Sequence, residues 1–177
     1  MKKMIWFWLF GAIAFSSVLI GCSSDNSIEC PADFEGALVE EENALLGTWE
    51  LTAILAEKEV DITDDNESNA GKDIYAQYTD CEKDAEYTFG PGRAYEFAQG
   101  QNATNCTNKL KIEGTWKLST DILGLIGNCS QQNIKIVFNG DKSAFTTTSN
   151  YDITDVNNGQ IVQTDVTFTY TKTVADN

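Results

Sequence analysis

The chain has 177 residues, with 12 basic and 27 acidic side chains, a single Arg, five Cys and no His. That length suits one domain plus a targeting segment, and the missing His excludes Ser-His-Asp and Cys-His nucleophile pairs and every His-ligated zinc or iron site. A net charge of −15 excludes nucleic acid as a partner, because phosphate binding relies on clustered Lys and Arg.

The N-terminus reads as an address. Met1-Lys2-Lys3 is basic, Met4 to Ile20 is an uncharged apolar run, and Leu19-Ile20-Gly21-Cys22 leads into the polar Ser23-Ser24-Asp25-Asn26. A basic start, an apolar core and a small residue before the cut make a secretory signal. The competing reading is a transmembrane anchor, for which a run of 17 residues is short. The Leu-x-Gly-Cys ending resembles a bacterial lipoprotein signal with its lipobox. The resemblance implies cleavage before Cys22, a diacylglycerol thioether on its sulfur and an acyl group on its amine. One acyl chain, at ~0.8 kcal/mol per buried CH₂, holds a protein only marginally, whereas two or three hold it firmly. The chain then divides into a signal peptide (1–21), a lipidated tether (22–31) and a folded domain (32–177). Ser23, by the sorting pattern of enteric lipoproteins, implies lipid anchoring to the outer membrane, on its periplasmic or its surface face. Cleavage removes Lys2 and Lys3, so the mature side-chain charge is 10 − 27 = −17.

If Cys22 carries the anchor, Cys30, Cys81, Cys106 and Cys129 remain, an even set in an oxidising compartment. Two disulfides follow, with three pairings open. Cys81–Cys106 is favoured because these residues flank a hairpin centred near Gly90-Pro91-Gly92; Cys30–Cys129 is then left by elimination. No CxxC spacing occurs, so a metal site is not expected.

Along the domain, Phe34, Ala37, Leu38 and Leu45 have helical spacing, with Glu40-Glu41-Glu42 facing outward, and predict a short helix over 32–46. From Leu46 the period becomes two: Trp49, Leu51, Ala53 and Leu55 form an apolar face opposite Glu50, Thr52 and Ile54. Residues 60–78 read as a long acidic loop. Three hairpins follow: 86–89 with 94–98 through Gly90-Pro91-Gly92-Arg93, 134–138 with 143–148 through Asn139-Gly140 as a type I′ turn, and 151–156 with 160–170 through Asn157-Asn158-Gly159. Leu110, Ile112, Trp116 and Leu118 alternate with polar residues. Val162, Val166, Phe168 and Tyr170 share one face of the last strand. Ile122 to Ile126 fits a strand or a turn of helix. About eight antiparallel strands with tight sequential turns and one apolar face close most economically as a small up-and-down barrel.

Leu46-Gly47-Thr48-Trp49-Glu50-Leu51 and Glu113-Gly114-Thr115-Trp116-Lys117-Leu118 are alike. Gly permits a bend or close approach at a strand start, and Trp two residues later places a large ring inside one barrel end. Gly47-x-Trp49 after a helical lead-in resembles the lipocalin first motif. Together with Cys81-Glu82-Lys83-Asp84 and Gly114-Thr115-Trp116, it resembles the lipocalin-like domain of Bacteroidetes lipoproteins over about 45–173. The resemblance implies an all-β, antiparallel, up-and-down lipocalin-like barrel. The late Arg that packs over the first-strand Trp in lipocalins has no counterpart in the pattern, since Arg93 falls in a turn.

The 61–73 stretch contains Asp61, Asp64, Asp65, Asn66, Glu67, Asn69 and Asp73, oxygen ligands of the kind calcium takes. An EF-hand starting at Asp64 fails, because position six is Asn69 and position twelve is Tyr75. The stretch reads as a solvated acidic loop that, with Ile74, Tyr75 and Tyr78, would lie over the open barrel end. Carboxylate pairs such as Asp152/Asp155 and Asp84/Glu86 fall together by abundance, so no catalytic residue is assigned. Asn-x-Ser/Thr triplets at Asn66, Asn102, Asn105 and Asn128 are chance in an Asn-rich surface. Trp49, Leu51, Tyr87, Phe97, Trp116, Phe138, Phe168 and Tyr170 are the expected interior residues, filling a core or lining a pocket. Two functions are in balance: a non-catalytic, membrane-lipid-anchored carrier of a small apolar or amphipathic ligand, and a filled scaffold whose loops at 60–80 and 99–108 contact an envelope protein. No cofactor, metal or nucleic acid is expected.

Overall fold

The computed structural model describes residues 29–173. The expected signal peptide over 1–21 and Cys22 lie outside the described residues. The described chain is an antiparallel, nearly closed, lipocalin-like β-barrel. Its ten strands are β1 (Gly47–Val60), β2 (Gly71–Asp73), β3 (Ala85–Phe89), β4 (Ala94–Gln99), β5 (Leu110–Ser119), β6 (Ile122–Gly127), β7 (Ser130–Lys135), β8 (Val137–Phe138), β9 (Ala144–Thr154) and β10 (Ile161–Lys172). Two short helices, α1 (Ile74–Gln77) and α2 (Asp80–Lys83), follow β2. The ladder runs β7-β6-β5-β4-β3-β1-β10-β9-β8, with β2 paired to β1 outside that path.

β7 and β8 are the two ends of this ladder, and only Ile136 separates them in the chain. The strand expected over 134–138 is therefore split. Up to Lys135 it pairs with β6; from Val137 it pairs with β9. Ile136 is buried at the crossing point. Beyond it β7 and β9 form no ladder with each other. The barrel closes at one end through β8 and is open along a seam toward the other.

The turns fall where Gly, Pro and Asn were expected, but one differs in conformation. Asn139 and Ala144 form the last bonded pair of the β8–β9 connection, and the left-handed residue is Lys142 (φ 58°). A four-residue loop replaces the expected two-residue type I′ turn. The type I′ geometry occurs instead between β6 and β7, at Asn128 (φ 49°) and Cys129 (φ 60°). Residues 122–127, ambiguous in sequence, are the fully formed strand β6.

In β1 the alternation changes phase. Leu51 opposes Tyr170 and Ala53 opposes Thr169, so Thr52 is an extra residue, a β-bulge. A one-residue slip exchanges the two faces of a strand. Ile54 and Ala56 are consequently buried, and Leu55, expected inside, is 50% exposed. β1 runs on to Val60, where the expected loop begins, and that stretch itself contains β2 and α1.

The expected helix over 32–46 is reduced to a 3-10 turn at Glu40–Leu45. Before it the chain runs down the outer wall. The Phe34 N–H donates to Thr115 Oγ1 (2.9 Å), and the Phe34 ring lies over Gly124. The 3-10 turn then plugs the barrel base, where Leu45 is wholly buried. Both Gly-Thr-Trp tryptophans end there. Trp49 Nε1 donates to the Leu45 carbonyl (2.7 Å) and Trp116 Nε1 to the Gly90 carbonyl (3.1 Å). Trp49 packs on Phe145 (5.1 Å) and Phe138 (6.0 Å), and Trp116 on Phe89 (5.4 Å).

Arg93 does not behave as an exposed turn residue. It is 4% exposed, with φ 64°, and its guanidinium forms a bidentate pair with Glu42 at 2.8 and 2.9 Å. Nε donates to the Gly36 carbonyl (3.0 Å), Nη2 to the Ala37 carbonyl (3.0 Å) and Nη1 to the Trp116 carbonyl (3.2 Å). Glu42, expected on the outer helix face, is wholly buried and also accepts from the Val39 and Leu118 N–H groups. Burial pushes its carboxyl up, but Arg93 and the two backbone donors outweigh that and hold it below the ordinary carboxylate value. An Arg closure of the barrel base is present after all, reached from the β3–β4 turn and seated against the second tryptophan.

Candidate functional site

With one end plugged, the inward side chains toward the other end decide what the barrel can hold. Inward positions of the central strands are Tyr87 on β3, Tyr95 and Phe97 on β4, Ile112 on β5 and Leu125 on β6. They line a cavity of about 280 Å³. Asn128, Ser130 and Gln132, at the β6–β7 turn and along β7, complete a polar wall beside the open seam. No charged side chain lines this cavity.

Room for the Tyr95 ring in its wall comes from a glycine pair. Gly114 on β5 and Gly127 on β6 are direct cross-strand partners. A Cβ on Gly114 would meet the Ile126 carbonyl oxygen at 1.9 Å and the Tyr95 ring at 2.9 Å; one on Gly127 would meet the Tyr95 hydroxyl at 2.8 Å. The Tyr95 ring occupies space that two side chains would otherwise take.

Tyrosines dominate the upper interior. Tyr87 stacks near Phe89 (5.6 Å) and meets Phe97 (4.8 Å) and Tyr170 (5.2 Å). Tyr151, on β9 at the seam, meets Phe168 (5.9 Å) edge-on. Burial, then nearby tyrosines, pushes Tyr87 up to about 12 and raises Tyr170 further. Burial raises Tyr78 and Tyr95 as well. These phenols are therefore neutral donors at any physiological pH. Among the described residues no buried side-chain polar atom lacks a partner, and Tyr87 and Tyr95 are the two of these phenols that line the cavity. The site is aromatic, uncharged and supplied with free O–H groups.

The eight expected interior residues divide between plug and cup. Trp49 and Trp116 are wholly buried in the plugged end, with Phe138 beside Trp49. Leu51 is buried in the core, and Tyr170 stacks on Phe145 at 5.1 Å. Tyr87 and Phe97 line the cavity; Phe168 faces Tyr151. Leu125, Gly127 and Gln132 were not singled out from sequence, and Gly114 and Ile112 were read only as part of their strand's own pattern. Their signal was the alternation Ile112, Gly114, Trp116 against Leu123, Leu125, Gly127, which places two glycines opposite each other only once the register is known.

The mouth is braced from two sides. Asp61 is wholly buried and accepts from the Thr63 N–H (3.0 Å), Thr63 Oγ1 (2.9 Å), the Asn69 N–H (3.0 Å) and Asn157 Nδ2. It gathers the acidic loop onto the β9–β10 turn, and the Asn69 N–H foremost lowers its carboxyl pKa. The rest of the acidic stretch from Asp64 to Ala70 is exposed, and the described residues contain no carboxylate or Cys group arranged to hold a metal. On the other side Asp84 accepts from the Asn102 and Ala103 N–H groups (2.6 and 2.7 Å). Cys81 and Cys106 lie within disulfide reach (Cα–Cα 5.6 Å), as do Cys30 and Cys129 (4.6 Å).

Residues 23–173 match the family described as Domain of unknown function (DUF5004). The chain belongs to the DUF5004 family. No curated protein matches it. The DUF5004 match begins one residue after Cys22 and runs through the whole described barrel, so plug, cup and braces are all parts of that domain.

Proposed function

We propose that this DUF5004 domain is a non-catalytic lipoprotein, anchored to the outer membrane by acylated Cys22, that binds a small apolar or amphipathic molecule in the barrel lumen. The observation that carries the reading is the uncharged aromatic cup of about 280 Å³ whose tyrosine hydroxyls are not engaged by the protein. Ligand sites are mostly apolar with a few convergent polar groups, and run from roughly 300 Å³ upward. The cup sits at the small end of that range, which suits one ring or a short chain with a hydrogen-bond acceptor. Carboxylate pairs on the wall do not face the cup, and the reading assigns no catalytic residue.

Native mass spectrometry of protein purified from its own envelope tests this. A bound species that is lost on Phe97→Ala and Tyr87→Ala, with the fold retained, is the expected result. A bare protein in repeated preparations, unable to take up any amphipath, removes the carrier reading.

The second reading, a scaffold contacting an envelope protein, is favoured by the braced mouth. Residues 63–70 and 100–108 are held by Asp61, Asp84 and Cys81–Cys106 without contributing to the hydrophobic core. Crosslinking in intact envelopes from these loops separates the two functions.

A further inference from the structure

The path of the lead-in determines which end of the barrel faces its anchor. Cys30 is joined to Cys129 in the two-residue turn between β6 and β7, at the open end. The neighbours of Cys129, Asn128 and Ser130, line the cavity. From Cys30 the chain runs away from the mouth. Phe34 is held halfway down the outer wall by Thr115, and the carbonyls of Gly36 and Ala37 meet Arg93 at the plugged end. Everything before Cys30 therefore departs from the rim of the cup.

We propose that the barrel stands mouth-first against the lipid bilayer, held there by the Cys30–Cys129 crosslink, and that an amphipathic ligand passes directly between bilayer and lumen. This rests on the reading that Cys22 is acylated. Cys22 precedes Cys30 by eight residues, which reach at most ~28 Å in any arrangement. Cys129 stands above the plug-end turn by the nine residues 130–138 of β7 and β8, roughly 23 Å once strand tilt is included. Standing on its plugged end, the barrel would draw most of that tether out nearly straight. Standing on its mouth, it needs almost none of it. Surface hydrophobicity does not choose between the ends: Leu110, Val156 and Ile161 are exposed near the mouth, and Val39, Ile122 and Val137 near the plug. The tether does choose. Exposed Asp64, Asp65 and Glu67 on the mouth side oppose insertion among anionic headgroups, so the rim rests on the surface without entering it.

The test uses the acylated protein reconstituted in phosphatidylcholine vesicles that carry a headgroup-attached fluorescence quencher. A fluorophore is placed in the mouth-end turn through Asn158→Cys, or in the plug-end turn through Gly140→Cys. Several-fold stronger quenching at 158 than at 140 is expected. Equal quenching, or stronger quenching at 140, overturns the proposal. Flotation and the mass of the N-terminal peptide are read on the same samples. Acylated, floating protein with equal quenching overturns the orientation and leaves the anchor reading standing; protein that carries no acyl chain and does not float overturns both. In the Cys30→Ser/Cys129→Ser pair the difference should shrink, because the chain is then first held at Phe34. A difference that persists in full shows that the crosslink does not orient the barrel.

Discussion

Replacing Glu42 by Gln is expected to unseat the barrel base. The Glu42 carboxylate accepts four hydrogen bonds, two from Arg93 at 2.8 and 2.9 Å, one from the Val39 N–H at 2.8 Å and one from the Leu118 N–H at 3.1 Å. Either rotamer of the amide turns its NH₂ group toward two of these donors: Arg93 Nη2 with Val39, or Arg93 Nη1 with Leu118. Removing one charge from a buried pair costs about 3–5 kcal/mol, because the other charge stays behind without compensation. For a domain of this size that is roughly 10–20 °C in Tm. The assay is urea and thermal unfolding of wild type, Glu42→Gln, Arg93→Met and the double variant. The double variant should recover part of the loss, since no buried charge remains, although the Gly36, Ala37 and Trp116 carbonyls lose their donor. The pH dependence has a definite sign. The folded pKa of Glu42 lies below its ordinary value near 4.5, so its contribution is complete above that pH and is lost as pH falls through the folded value. Wild type should lose stability more steeply than Glu42→Gln below about pH 4.5. A loss of under ~1 kcal/mol on Glu42→Gln, the range of an exposed pair, would refute the reasoning.

Gly114→Ala should be poorly tolerated. Its Cβ would sit 1.9 Å from the Ile126 carbonyl oxygen, and overpacking that forces backbone shifts costs about 1–3 kcal/mol; chemical denaturation reads the change, and a neutral result contradicts the register of β5 on β6. Removing Cys81–Cys106, which spans 25 residues, should cost about 3 kcal/mol, and removing Cys30–Cys129, which spans 99, about 4–5 kcal/mol from chain entropy alone; peptide mapping without reductant checks both pairings first. Phenol absorbance during alkaline titration should show one group ionising near pH 12 that Tyr87→Phe removes. Because its folded pKa is raised, the stability linked to Tyr87 is intact below the unfolded value near 10 and falls away above it, so wild type should lose more stability than Tyr87→Phe in that window.

Local chemistry was legible in the sequence and long-range geometry was not. Gly90-Pro91-Gly92 and Asn157-Asn158-Gly159 dictate their turns within four residues, and the hairpins appear where they point. Alternation placed Val162, Val166, Phe168 and Tyr170 on one face because β10 runs its length without a bulge. Thr52 defeated the same rule in β1, since a bulge is specified by the partner strand as much as by its own residues. Ile136 looks like an ordinary strand residue, and only closure of the barrel makes it change partners. Arg93 was missed for a similar reason. A turn position predicts exposure, yet its acceptors are Glu42, Gly36 and Ala37, more than fifty residues upstream, and Trp116, well downstream. The cup was half legible: Tyr87 and Phe97 followed from alternation, while the Gly114–Gly127 pair needed the register of β5 on β6.

The lead-in has a consequence for how the chain is assembled in time. Its contacts are with Thr115, Gly124, Arg93 and Cys129, all of which are synthesised later, and β1 lies between β3 and the final strand, β10. The first part of the domain to be made therefore lacks its full set of partners until the last strand exists. Such pairing across the whole chain folds slowly, because loop closure must be met before native contacts repay it. The barrel cannot close without its last strand, so a chain released before β10 is complete is left with an unpaired edge on β1.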